Sequence, residues 1–408
     1  MQETAVNSIP ADLEQRFATT FGEAVRLERP LAASGMGARV TGVDLCNPLR
    51  PEQVALLLDA LSHTRILTIA GQDLGRFSLA AFERFANHWG APVAHPSNFL
   101  RGGKPAQQDG ASDGVVEFQP YADRRAAVAD TVLPGQVECL PHESPAVLVA
   151  TNLLGQDDRK EFRLKDGGTW HTDIEYEPIP IYVSMFLAHH VPVARDAPNG
   201  QWVEPPVASG PAPYLPGTDD ELMALRKHLP LNGETAFADT VAAFAALPPE
   251  EQAKLETVQV RRRLNAKDEG WLAPLVRTDP RSGVKSLHSP LWASRPGIRP
   301  AIEVDGMTPD DSRDFLEGLE KHVLQPEFRY DHIHTPGDVT IWNNYMSVHT
   351  SPPIKVGVKR PEDARLLYRL SCKGAPSLEL PRNDDPAWIT DNIAGRYRSP
   401  DSIIGAAG

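Results

Sequence analysis

Two amphipathic helical stretches lie in the first quarter of the chain, and short strand-like runs dominate the remainder; this order most constrains the fold. "RPEQVALLLDALSH" (50–63) and "SLAAFERFANHWG" (78–90) carry apolar residues at helical spacing, with Pro51 suited to a first turn and Gly90 to a C-cap. "GARVTGVDL" (37–45), "RILTIA" (65–70), "AVLVATN" (146–152), "PIYVSMFLAHHVP" (180–192), "GDVTIWNN" (337–344) and "ARLLYRLSCKG" (364–374) read as strands. Helices also return at 239–256, broken at Pro248–Pro249, and at 312–325. The regular strand–helix alternation of a doubly wound fold is absent, as are a Gly-rich phosphate loop and internal repeats. The expectation is a β-rich α+β fold with a jelly-roll (double-stranded β-helix) core and flanking helices.

Two stretches break this pattern. Residues 97–143 are polar and interrupted by Gly and Pro, and 194–232 are richer still in both. Loops of such length are usually functional or disordered; His95 lies just before the first and Thr235 just after the second, so both are expected to lie near an active site. The organisation expected is an N-terminal extension (1–28), one domain (29–380) carrying these insertions, and a tail (381–408). With 408 residues, 41% of them hydrophobic, the chain can bury a sizeable core. A formal net charge of −13 excludes a whole-chain basic footprint for nucleic acid or anionic membrane. No run approaches the ~20 apolar residues of a membrane span, and the N-terminus has no signal-peptide pattern. Cys46, Cys139 and Cys372 are too few and too scattered for a disulfide framework. A cytoplasmic protein with reduced thiols acting on a small molecule is expected, with homo-oligomer formation left open.

The chemistry concentrates in "GGTWHTDIEY" (167–176). If this stretch is extended, His171 and Asp173 point to the same side and supply two ligands of a metal site. His349, at the end of the strand in "VTIWNNYMSVH", is the candidate third. Two imidazoles and one carboxylate on a three-vertex face are the donor set of non-heme Fe(II) oxygenases, which leaves positions for a bidentate cosubstrate and O2. Such triples also arise by chance, and His332 with His334 form a rival pair at the same spacing. In "RLLYRLSCKG", Arg365 and Arg369 share one face of a strand, either toward solvent or into an anion-lined pocket.

These pieces together resemble the taurine dioxygenase (TauD/TfdA) family of Fe(II)/2-oxoglutarate-dependent dioxygenases. The resemblance runs in family order through "GARVTGVDL", "RILTIAGQDL" with "FERFANHWGAPVAHP", "WHTDIEY", "GETAFAD" (233–239), "LAPLVRTDPRSGVKSLHSP" (272–290), "GDVTIWNNYMSVH" and "RLLYRLSCKG". It implies Fe(II) held by His171, Asp173 and His349. It also implies 2-oxoglutarate as cosubstrate, with Arg369 and Thr235 on its distal carboxylate, and O2 as oxidant. Arg365 falls where the family holds a substrate's anionic head, His95 near a position lining the substrate pocket, and Trp342 and Asn344 where they support the distal histidine. The implied reaction hydroxylates or oxidatively cleaves a small, anionic organic substrate and yields succinate and CO2. Retention of Asp173 disfavours halogenation, because related halogenases lose that carboxylate.

The gap from His349 to Arg369 and both insertions are longer than the family pattern, and Gly167 and Gly168 offer no side-chain contacts; all three features leave the substrate open. Two other readings remain: a metal-dependent barrel enzyme without 2-oxoglutarate, such as a hydrolase or isomerase, and a non-catalytic ligand-binding protein of the same fold.

Overall fold

A computed structural model describes residues 9–380, apart from 96–97, 102–103, 106–115, 119–130, 142–143, 154–165, 178–179, 194–201, 206–213 and 297–298. The expected tail, 381–408, lies outside the described residues.

Eleven strands frame the site: β1 (Arg26–Glu28), β2 (Ala38–Thr41), β3 (Ile66–Ile69), β4 (Ala91–Pro92), β5 (Leu148–Thr151), β6 (Ile181–His190), β7 (Thr235–Asp239), β8 (Arg329–His332), β9 (Val339–Asn343), β10 (Ser347–Thr350) and β11 (Leu366–Lys373). The large sheet runs β1-β2-β3-β9-β6-β11-β4, with β5 also pairing with β11. Among the described residues, only β2 and β3 pair in parallel. A small antiparallel sheet runs β8-β7-β10.

Period-2 alternation explains how the large sheet serves both core and site. Leu67, Ile69, Val183, Met185, Leu187, Val339, Ile341, Leu366, Tyr368, Leu370 and Cys372 belong to one buried core. That core includes Leu13 and Phe17 of helix Leu13–Phe21, Leu57 and Leu61 of Pro51–Thr64, and Phe82 and Phe85 of Leu79–Ala86. The intervening residues Thr68, Ser184, Phe186, Thr340, Trp342 and Arg369 occupy the opposite face. In the small sheet Ala236, Ala238 and Val348 join a second core, with helices Thr240–Ala245 and Pro309–Val323, while Phe237 packs against Trp342 of the large sheet. The inner faces of the two sheets therefore meet, and the aromatic contact Phe237–Trp342 marks where.

The helices begin where their sequences say they should. Pro51 occupies the first turn of its helix, and Ser78 caps the next by accepting the Ala81 amide. Residues 13–28, expected as an extension, instead supply a core helix and the edge strand β1. The insertions are partly built into the body. Phe99–Arg101, Lys104–Pro105 and Val116–Phe118 form a small sheet, and Leu133, Val137 and Cys139 join the main core. In the second insertion, helix Asp220–Lys227 buries Leu222 and Arg226. The Arg226 guanidinium donates to both Glu320 carboxylate oxygens at 2.6 Å, locking this helix to Pro309–Val323. Among the described residues, no helix is long and apolar enough to cross a membrane.

Candidate metal centre

His171, Asp173 and His349 each offer a ligand atom, and these atoms lie within 4.8 Å of one another. The route by which they meet differs from the expected extended strand. His171 pairs with His349 across an isolated antiparallel bridge, each amide donating to the other's carbonyl at 2.9 Å. The chain then turns, and Ile174 takes φ 49°. Asp173 thus enters the site through a turn rather than by strand alternation. Gly167, at φ 79°, permits the approach to this bridge. A Cβ there would lie 2.7 Å from Leu229 Cδ1 and 3.1 Å from the Ser351 carbonyl oxygen.

The orientation of each donor is fixed. His171 Nδ1 lies 2.8 Å from the Thr169 carbonyl, which can only accept, so Nδ1 is the donor and Nε2 is the nitrogen turned toward the candidate metal position. That Nε2 is 3.5 Å from Asp173 Oδ1, and His349 Nε2 is 3.6 Å from Oδ2. His349 lies between Phe237 and Trp342, with ring centroids at 5.8 and 5.2 Å. Ser184 of β6 donates to Asp173 Oδ2 at 2.7 Å and accepts from Asn344 Nδ2 at 3.2 Å. Asn344 Oδ1 in turn accepts the Asp173 amide at 3.3 Å. Burial opposes ionisation of Asp173, but the Arg369 guanidinium and both imidazoles outweigh it and hold the carboxyl well below its usual range. Burial pushes His349 well below the ordinary imidazole value despite the nearby carboxylate, which keeps it neutral. Two imidazoles and one carboxylate, braced from behind, are a donor set that suits a divalent transition metal.

The arginines and Thr235 separate into two groups. Arg369 forms an ion pair with Asp173 itself and lies over the Trp342 ring, 5.6 Å from its centroid. Arg365 is buried, and its Nε donates to the Gly233 carbonyl at 3.1 Å, two residues before Thr235. The Thr235 hydroxyl is 2.8 Å from His334 Nε2. Arg365 thus meets the chain just before the Thr235 strand, whereas Arg369 sits at the candidate metal ligands. The rival pair is engaged elsewhere. His332 lies between the Tyr330 and Thr340 hydroxyls at 3.0 and 2.9 Å, and His334 meets Thr235. His95 stands where the first insertion begins, its amide donating to the Pro145 carbonyl at 2.8 Å. Sequence reading missed Ser184 and Arg295. Ser184 had a signal, as a lone hydroxyl at inner-face parity within "IYVSMFLA"; Arg295, in an irregular loop, had none.

A β-rich fold that gathers two imidazoles and one carboxylate between two sheets presents the donor set of a mononuclear 2-His-1-carboxylate site. The family model of the taurine catabolism dioxygenase TauD, TfdA family matches residues 28–370, and the chain belongs to that family. It is 26% identical over 229 residues to pentalenolactone F synthase of Streptomyces arenae, covering 51% of this chain and 64% of that protein. It is also 26% identical over 238 residues to the (S)-phenoxypropionate/alpha-ketoglutarate-dioxygenase of Sphingobium herbicidovorans, covering 53% and 66%. The chain thus spans just under two thirds of the length of these relatives. Among solved structures, AAD-2 in complex with Mn(II) and N-oxalylglycine is similar in fold, with TM-score 0.54 and 20% identity over 86% of this chain and 99% of that one. A taurine dioxygenase from Burkholderia xenovorans gives TM-score 0.51 and 20% identity over 85% and 89%.

Proposed function

We propose that this protein is an Fe(II)- and 2-oxoglutarate-dependent dioxygenase that oxidises a C–H bond of a small organic anion, yielding succinate and CO2. The observation that carries the reading is the convergence of His171, Asp173 and His349 on one point, with Arg369 beside them and Arg365 beside Thr235. The two facing sheets are read as the halves of a double-stranded β-helix.

His171, Asp173 and His349 would hold the iron; when bound, it supplies the redox chemistry with O2 and 2-oxoglutarate. The protein contributes position and charge. The roles expected of the two arginines exchange. A five-carbon diacid separates its carboxylate carbons by roughly 5 Å, whereas Arg365, just before β11, and Arg369, within it, stand four residues apart along nearly extended chain, about 13 Å at their Cα atoms. Arg369, paired with a metal ligand, is too close to that ligand set to receive the distal carboxylate. Arg365, buried beside the Thr235 strand, suits that carboxylate, with the Thr235 hydroxyl as second partner. Arg369 then faces the metal-side end of the cosubstrate or the substrate. His95 is retained as a pocket-lining residue on the sequence resemblance. Relatives named for phenoxypropionate and 2,4-dichlorophenoxyacetate support aryloxy acids as the first substrates to test.

The test is succinate formation by the Fe(II)-loaded protein from 2-oxoglutarate under air, with and without aryloxy acids. Substrate-stimulated succinate is expected. Tight metal binding without decarboxylation of 2-oxoglutarate under any condition would point to a non-oxidative metal protein instead.

A further inference from the structure

Ser294 touches the metal motif on both sides. Its carbonyl accepts the Thr169 hydroxyl at 2.7 Å, and its own hydroxyl donates to Glu175 Oε1. Thr169 stands two residues before His171, and Glu175 two residues after Asp173. The near flank leads directly to a ligand, because the Thr169 carbonyl accepts from His171 Nδ1 at 2.8 Å. Thr169 therefore holds the imidazole through its carbonyl and Ser294 through its hydroxyl. The far flank is the turn that delivers Asp173, in which Ile174 takes φ 49°. A β-branched residue resists that conformation, so the turn persists only where its surroundings hold it. Glu175 and Ser294 are both buried. Among the described residues, Ser294 supplies the one hydrogen bond that the Glu175 carboxylate accepts.

The loop that carries Ser294 is anchored independently of the motif. The buried Arg262 guanidinium donates to the His288 carbonyl at 2.8 Å, and the His288 amide donates to the Leu275 carbonyl at 2.7 Å. Nearer Ser294, Leu291 joins the second core, and the Trp292 carbonyl accepts the Ile302 amide at 2.8 Å. The guanidinium of Arg313, from helix Pro309–Val323, lies over the Trp292 ring at 4.4 Å. Position therefore passes from the second core through Ser294 to the motif, and not the reverse.

We propose that Ser294 is a positioning residue that clamps both flanks of the metal motif and so sets the spacing at which His171 and Asp173 present their donor atoms to a divalent metal. It acts through Thr169 on one side and Glu175 on the other. The proposal rests on the metal-centre reading and is independent of the substrate and of 2-oxoglutarate. A clamp has two ends, and cutting either one releases the spacing that the other end alone does not fix.

The full chain is titrated anaerobically with Mn(II), and its Co(II)-loaded form is followed by visible absorption, which reports coordination geometry. Ser294→Ala leaves the buried Glu175 carboxylate without its donor and is expected to weaken Mn(II) about tenfold and to change the Co(II) spectrum, with the far-ultraviolet circular dichroism kept. Ser294→Thr keeps the hydroxyl and is expected to recover most of the loss. Thr169→Val cuts the other end and is also expected to weaken Mn(II) about tenfold. Because either cut opens the same clamp, the double variant Thr169→Val, Ser294→Ala is expected to lose about tenfold in all, well short of the ~100-fold that two independent supports would lose. Wild-type Mn(II) affinity and an unchanged Co(II) spectrum in Ser294→Ala would overturn the proposal, even with a lower urea midpoint, because the role would then be structural only. Losses that multiply in the double variant would also overturn it. If Ser294→Ala fails to fold, Ser294→Cys and Thr169→Val carry the same comparison. Failure of the wild type to bind Mn(II) would overturn the metal-centre reading and this proposal with it, whereas Mn(II) binding by the wild type with unaltered variants overturns the proposal alone.

Discussion

Ser184 donates a 2.7 Å hydrogen bond to Asp173 Oδ2 from the middle of a buried strand, while the aspartate itself stands in a turn. A rigid element thus orients a ligand carried by a less regular one. Removing such a support typically lowers metal affinity 10–100-fold. Ser184→Ala is therefore expected to weaken Mn(II) binding about tenfold with little change in thermal midpoint. Anaerobic calorimetric titration of Mn(II) checks it, and wild-type affinity would show that the turn holds Asp173 unaided.

The ligands themselves give a larger effect. His349→Ala removes a donor from a buried strand and opens space between Phe237 and Trp342. Metal affinity is expected to fall by ~100-fold or more while the far-ultraviolet circular dichroism is kept. Equal retention of metal by His349→Ala and wild type would move the site away from this trio.

The two arginines should be separable kinetically. Arg365→Ala is expected to raise the KM for 2-oxoglutarate ~30-fold or more, since truncating one partner of a buried charge contact costs about 2–5 kcal/mol. Mn(II) affinity should stay near wild type. Arg369→Ala removes the cation beside Asp173 and is expected to alter metal affinity as well. If Arg369→Ala alone impairs 2-oxoglutarate binding and Arg365→Ala does not, the exchange of roles is wrong.

A pH dependence arises from His332, whose imidazole burial pushes down to about 3. In the unfolded chain it titrates near 6.5. Between about pH 6.5 and 3 the unfolded state takes up a proton that the native state does not, so this group removes stability as pH falls, by up to ~1.4 kcal/mol per pH unit; above that range it adds no slope. His332→Gln keeps hydrogen-bonding capacity and should flatten the fall in stability below about pH 6.5. Urea unfolding of both proteins across that interval measures the difference, and parallel slopes would contradict it.

The second insertion is anchored through Arg226 and Glu320, both nearly fully buried. Glu320→Ala leaves the guanidinium with the Thr218 hydroxyl at 3.0 Å and the more distant Glu317 carboxylate at 3.5 Å, and such a break typically costs about 3–5 kcal/mol. A matching drop in the urea midpoint is expected, together with earlier proteolysis of helix Asp220–Lys227. An unchanged midpoint would mean that water or Glu317 replaces the lost partner.

What the sequence determined was local. Alternation in "IYVSMFLAHH" and "RLLYRLSC" determined strands with one apolar face, because a half-buried sheet demands that period. Pro51 and Ser78 marked helix starts through the geometry of the first turn. The candidate ligands were nameable because few side chains bind iron and they stood in a spaced motif. Only the tertiary structure decided what those residues face. It brought His349 against His171 across more than 170 residues of chain, a pairing no local periodicity encodes. It turned the chain at Ile174, so that Asp173 arrived by a bend. It divided two arginines of equal strand parity, sending one to the metal ligands and the other to the Thr235 strand, because each side chain answers to the element packed over it. It also set Arg295 at the site from an irregular loop, whose course is fixed by long-range hydrogen bonds and leaves no pattern in the sequence.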